Sequence, residues 1–262
     1  MRYIITLSLA LFTFGSILAQ SPADYTTRSV IDPALAPFYH GVASGDPLSD
    51  RVIIWTRITL NPPVSPLTVS WQMATDTLFN NIVQSGTAST DLAKDFTLKV
   101  DVTGLQPNSW YYYRFQYDNQ KSIIGRTRTL PTGDVDSLRF AVASCQDYQN
   151  GFYNAYKHLS KTNDIDAIFF LGDYIYEYAA SSSVGRDHEP SNEIITLSDY
   201  RTRHSQYKLD PDMRAVHQQY PFIAVWDDHE TANDAYTDGA QNHDEATEGP
   251  FSERKTYSTQ AY

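Results

Sequence analysis

The hydrophobic pattern of this chain changes period near residue 137, and that change restricts its fold more than any other feature of the sequence. Before it, residues 38–131 read as strands alone. VIIWTRI (52–58) and LTVSWQMAT (67–75) are strand-like, and in the second Val69, Trp71 and Met73 alternate with Ser70, Gln72 and Ala74. FTLKVDVTGL (96–105), WYYYRFQYD (110–118) and SIIGRTRTL (122–130) follow, punctuated by Asn, Pro, Gly and Asp clusters. Short strands at this spacing predict a β-sandwich. Leu105, Pro107 and Tyr111 in GLQPNSWYYYRF are spaced like the corner of a fibronectin type III domain, which puts Tyr111, Tyr113 and Phe115 on one core face.

Beyond the turn-rich LPTGDVDS (130–137), strands alternate with helix-compatible segments. LRFAVAS (138–144), AIFFLGD (167–173) and FIAVWDD (222–228) read as strands, the last of them buried and apolar up to Trp226. GFYNAYKHLSK (151–161) suits a helix, Ser198 can cap a second, and Asp210 followed by Pro211 opens a third. Such alternation predicts a parallel sheet. The polar segment 180–197 reads as a long surface loop. With three parallel strands after residue 137, one face of the sheet is expected to lack a second layer and to expose apolar surface.

The three strands end in Cys145, in Asp173, and in Asp227-Asp228-His229. Parallel strands bring their carboxyl ends to one edge, where open α/β folds build their sites. Carboxylates at the end of an apolar run are costly unless water, a partner or a metal compensates them. A metal centre is the expectation. Asp173 and Tyr176, three residues apart after a strand, can face a common centre. Thiolate and phenolate are strong donors to ferric iron, so Cys145, Asp173 and Tyr176 suit Fe3+. Asp173 with Asp228 and further oxygens suits Ca2+. His229 is placed to donate a proton to a leaving alkoxide. Taken singly these residues have plainer readings: Cys145 as a buried small hydrophobe, Tyr176 as packing, Asp173 as a turn cap. Glu230 reads as solvated or as support behind the ligands, and Asp147 as a ligand or a turn residue.

The chain's 262 residues are 41% hydrophobic, enough for a large core, and a net charge of −11 argues against a general nucleic-acid binder. The opening MRYIITLSLALFTFGSILAQ has one basic residue, a short apolar run and small residues near Ala19. It predicts a signal peptide over residues 1–19 and export to the periplasm or beyond, with no membrane span after cleavage. Cys145 is the single cysteine, so an internal disulfide is excluded.

FYHGVASGDPLSDRVIIWTRI (38–58), AVASCQDYQNGFYNAY (141–156), LGDYIYEY (171–178) and AVWDDHETAND (224–234) together resemble the alkaline phosphatase D (PhoD-like) family. The resemblance implies a β-sandwich domain over 38–131, then the first part of a calcineurin-like metallophosphoesterase α/β sandwich over 138–262. It implies an exported mono- or diesterase acting on a phosphate ester with ferric iron and calcium, other divalent ions being possible. By it, Cys145, Asp173 and Tyr176 match iron ligands. Asp228 stands where the wider superfamily has an Asn ligand, and His229 matches the histidine of that motif. The superfamily's later histidine motifs find no match after His243, so a C-terminally incomplete chain with little activity of its own is expected. The competing readings are a non-enzymatic extracellular protein stabilised by calcium and a serine or cysteine hydrolase built on Cys145. The latter lacks a nearby base.

Overall fold

The computed structural model describes residues 31–262. The signal-peptide expectation for residues 1–19 therefore lies outside the described residues. Among the described residues, eleven strands form two sheets. They are β1 (Val42–Gly45), β2 (Arg51–Arg57), β3 (Leu67–Ala74), β4 (Ile82–Thr90), β5 (Thr97–Thr103), β6 (Trp110–Tyr117), β7 (Gln120–Lys121), β8 (Gly125–Arg128), β9 (Phe140–Ala143), β10 (Ala167–Leu171) and β11 (Pro221–Val225). The helices are α1 (Asn154–Leu159), α2 (Leu197–Leu209), α3 (Pro211–Gln219), α4 (Glu245–Glu248) and α5 (Phe251–Ala261).

One sheet has the order β4-β3-β6-β7, with β8 also paired to β6. The other runs β5-β2-β1-β11-β10-β9 and joins the two halves of the chain. β1 is its hinge strand, antiparallel to β2 and parallel to β11. Only four residues long, VASG is too short for its periodicity to register. β4 also escapes the pattern: IVQSGTAST is a largely solvent-facing edge strand, so little apolar alternation marks it. Of SIIGRTRTL (122–130), expected as one strand, only Gly125–Arg128 pairs as a strand, β8; the short β7 precedes the segment. Val42, Val52, Ile54, Val69, Met73, Leu98, Tyr113 and Phe115 fill the space between the two sheets. Tyr111 closes the corner by accepting the Gln106 N–H on its hydroxyl, 2.8 Å away.

In the second half, β9, β10 and β11 are parallel, with Phe169 in register with Val142 and Ile223. Ile168, Phe170 and Phe222 face the opposite way, into a tyrosine-rich core with Tyr153, Tyr156, Tyr200, Tyr207 and Val216 from α1, α2 and α3. Buried tyrosines need partners for their hydroxyls. Tyr153 and Tyr156 donate to the main-chain oxygen and the Oε1 of Gln146, both at 2.8 Å, and so fix the residue after Cys145. The other face is open: Val142 is 66% exposed, Val225 54% and Leu171 51%. The exposure of Val225 and Trp226 corrects the reading of FIAVW as a buried strand. Its first residues are buried, and its mouth is not.

Helix starts follow local chemistry. α2 is capped by Thr196, not Ser198: the Thr196 side chain accepts the Asp199 N–H, and Asp199 returns the bond to the Thr196 N–H. Ser198 sits inside the first turn. Asp210 caps α3 by accepting the N–H groups of Asp212 and Met213, with Pro211 at the first position. α1 is shorter than expected, because residues 148–150 form a 3-10 turn and Gly151 is extended. Segment 180–197 has no regular structure before α2, yet it buries His188 and Ile194. No helix among the described residues is long and apolar enough to cross a membrane.

Candidate metal centre

The mouths of β9, β10 and β11 lie side by side, and main-chain bonds continue the ladder past the strands. Cys145 N–H donates to Gly172 O and Gln146 N–H to Asp173 O, each at 3.1 Å. Cys145 (φ 54°) and Asp173 (φ 57°) both adopt the left-handed backbone region, which costs a non-glycine residue about 1–2 kcal/mol. Such strain persists where the surroundings enforce it, and it turns both side chains toward the edge. Gly172, between them in space, has φ +99°, and a Cβ there would lie 2.5 Å from Asp227 Cβ. Only glycine lets the two loops approach so closely.

Glu230 binds these loops together. It is buried, and its carboxylate accepts the N–H groups of Asp173 (3.2 Å), Tyr174 (2.5 Å) and Asp227 (2.8 Å). The alternative of a solvated Glu230 is thereby corrected. Burial raises its pKa, and the N–H donors only partly offset that. Asp147 caps the turn at Gln149 and lies 3.4 Å from His188.

Asp173, Asp228 and His229 each offer a ligand atom, and the three atoms lie within 4.8 Å of one another. Asp173 Oδ2 accepts from the Tyr176 hydroxyl at 3.3 Å, while its Oδ1 is buried with no partner among the described residues. A buried carboxylate oxygen without a donor is costly, and a cation is the partner that fits it. Asp228 accepts the N–H groups of His229 (3.0 Å) and Asp234 and is thereby fixed in its turn. Cys145 is an exposed free thiol outside that triad. Burial, together with the adjoining Asp173 and Cys145, pushes the Tyr176 phenol well above its ordinary range.

His229 is held by a residue that sequence reasoning passed over. Glu177, fully buried, lies 2.7 Å from His229 Nδ1 through Oε2. Its Oε1 accepts from Asn233 N–H (2.7 Å) and Asn242 Nδ2 (2.8 Å). Burial lowers the imidazole pKa, but the bond to Glu177 and the charges of Glu177, Asp228 and Asp173 outweigh it, and the net shift is upward. The ring stacks beside Tyr176, with centroids 4.2 Å apart. With Nδ1 engaged, Nε2 is the atom left for a substrate or an ion. The available signal was the spacing in DYIYE, which sets Glu177 four residues after Asp173, but an acidic residue in a tyrosine run suggests no partner by itself.

The chain is similar to known proteins along most of its length. Residues 22–131 match the PhoD-like phosphatase N-terminal domain, and residues 140–262 match the PhoD-like phosphatase family. Alkaline phosphatase D of Bacillus subtilis (strain 168) is 42% identical over 238 residues, covering 86% of this chain and 40% of that protein. A solved structure of PhoD superposes with a TM-score of 0.80 at 41% identity, covering 86% of this chain and 45% of its own. The chain thus spans less than half the length of these relatives. Two consecutive domain matches, the identity and the shared fold agree: this chain belongs to the PhoD-like phosphatase family.

Proposed function

We propose that the chain contributes to a metal-dependent phosphoesterase centre, which hydrolyses phosphate mono- or diesters outside the cytoplasm after export by the leader at residues 1–19. The observation that carries this reading is the convergence of Asp173, Asp228 and His229 around an unpartnered buried carboxylate oxygen. Cys145, Asp173 and Tyr176 would hold Fe3+, and Asp173 and Asp228 would hold Ca2+ or another divalent ion. When bound, these cations supply positive charge for the phosphate and Lewis acidity at its oxygens.

The chain's own residues do the rest. His229 holds a proton on Nε2 and gives it to the departing alkoxide, while Glu177 keeps the ring oriented through Nδ1 and stabilises its charged form. Glu230 fixes the spacing of the loops that present Asp173 and Asp228. The alternative of a calcium-stabilised binding protein has no use for a histidine oriented by a buried carboxylate at this edge.

The test is hydrolysis of a phosphate monoester and a diester by the full-length protein loaded with iron and calcium, before and after chelation. Turnover that chelation abolishes, that metal restores, and that Asp173→Asn removes is the expected result. Chelation-insensitive turnover, or full activity in Asp173→Asn, would overturn the reading.

A further inference from the structure

A cleft of about 650 Å3 opens between the six-stranded sheet and the helices, and none of the residues assigned to the metal centre lines it. Its walls bring together β2 and β5, the turn before β5, helices α2 and α3, and the end of α5. That size is typical of a site for a small organic molecule. Its electrostatics run against those of the chain. In a protein of net charge −11, the cleft is lined by Arg57, Lys94, Lys99, Arg201 and Lys208 against a single acid, Asp95. Asp95 is already matched by Arg57 at 2.9 Å.

Arg201, His204, Ser205 and Lys208 recur at the spacing of one helix face, so α2 turns a polar, cationic stripe into the cleft. Lys208 has no carboxylate partner among the described residues. Its ammonium lies over the rings of Trp55 (5.1 Å) and Tyr174 (5.3 Å), and burial pulls its pKa down to about 7. Three histidines complete the wall, each with a buried ring nitrogen lacking a partner: His40 Nδ1, His204 Nε2 and His217 Nδ1. His40 and His217 are 1% and 5% exposed. Their other nitrogens are anchored, His40 Nε2 on Ser205 and His217 Nε2 on the Tyr174 hydroxyl, both at 2.8 Å. Unpaired cations and orphaned polar atoms on a cleft wall are unfavourable alone, and an anion offers both of them partners.

We propose that this cleft is a second ligand site, separate from the metal centre, for an organic phosphate with an aromatic body. The phosphate would lie against Lys208, His204 and Arg201, and the aromatic body against Trp55 and Tyr174. Several unpaired cations favour a dianion over a carboxylate, and the aromatic wall favours a ring over free phosphate. The site does not depend on the phosphoesterase reading.

Calorimetric titration of the chelator-treated chain with AMP, adenosine and inorganic phosphate tests this, because without metal ions the centre at Asp173 has no cation to hold phosphate. AMP should bind saturably, at least tenfold more tightly than either half. Lys208→Met should weaken AMP at least tenfold, whereas the exposed Lys157→Met should not change it. A footprint on the unaltered chain provides a second reading: AMP should slow acylation of Lys208 but not of Lys157. Absence of AMP binding, equal affinity for phosphate alone, binding indifferent to Lys208→Met, or unprotected Lys208 would each overturn the proposal.

Discussion

Replacing Gly172 by Ala tests how the β10 and β11 loops are held together. The added methyl would lie 2.5 Å from Asp227 Cβ and 2.6 Å from Asp227 N, so main chain, not a flexible side-chain tip, must move. The backbone at φ +99° adds its own penalty for a residue with a Cβ. Left-handed strain of about 1–2 kcal/mol and overpacking of about 1–3 kcal/mol give a loss of roughly 2–5 kcal/mol. The displacement falls between Asp173 and Asp228, so metal affinity should fall together with stability. Gly151→Ala is the control. Nothing lies within 4 Å of a Cβ there, and its backbone is extended, so it should be neutral or stabilising by up to about 1 kcal/mol. Denaturant unfolding with metal titration on both variants measures the difference. Equal stability and equal metal affinity in the two would refute the argument that close approach of these loops builds the centre.

Other variants separate the roles of the site residues. Asp173→Asn should remove more bound metal than Glu230→Gln, measured by elemental analysis, because the first changes a proposed ligand and the second only its support, a class of change that typically costs about 10–100-fold. His229→Ala should lower turnover by about 10²–10⁴-fold with metal content unchanged, and the loss should shrink for nitrophenyl esters, whose leaving groups need little protonation. Glu177→Gln should show the same dependence on leaving group, more weakly. Loss of metal in proportion to activity in His229→Ala would make that residue a ligand.

The sequence disclosed the edge of the sheet better than it disclosed what stands behind the edge. Long apolar strands announced β9, β10 and β11, and parallel pairing then brought Cys145, Asp173 and Asp228 to one side by topology alone. β1 and β4 stayed hidden for opposite reasons, one too short for a period and the other too polar to alternate. Glu177 was illegible because its partner His229 lies more than fifty residues away, and for Glu230, offered as solvated or as support behind the ligands, the N–H groups of Asp173 and Tyr174 that decide between the two are as distant. Burial of an acid is a tertiary fact, and no local pattern encodes it. The helix cap shows the same limit at short range. Ser198 and Thr196 are both suitable residues, and only the reciprocal bond to Asp199 decides between them.

If Tyr176 and Cys145 join Asp173 in one centre, the visible spectrum of the chain reconstituted with ferric iron should show it. A stoichiometric iron site should give a phenolate- or thiolate-to-iron charge-transfer band that Tyr176→Phe shifts or bleaches. Failure to bind iron, or a band unchanged in both Tyr176→Phe and Cys145→Ser, would contradict it.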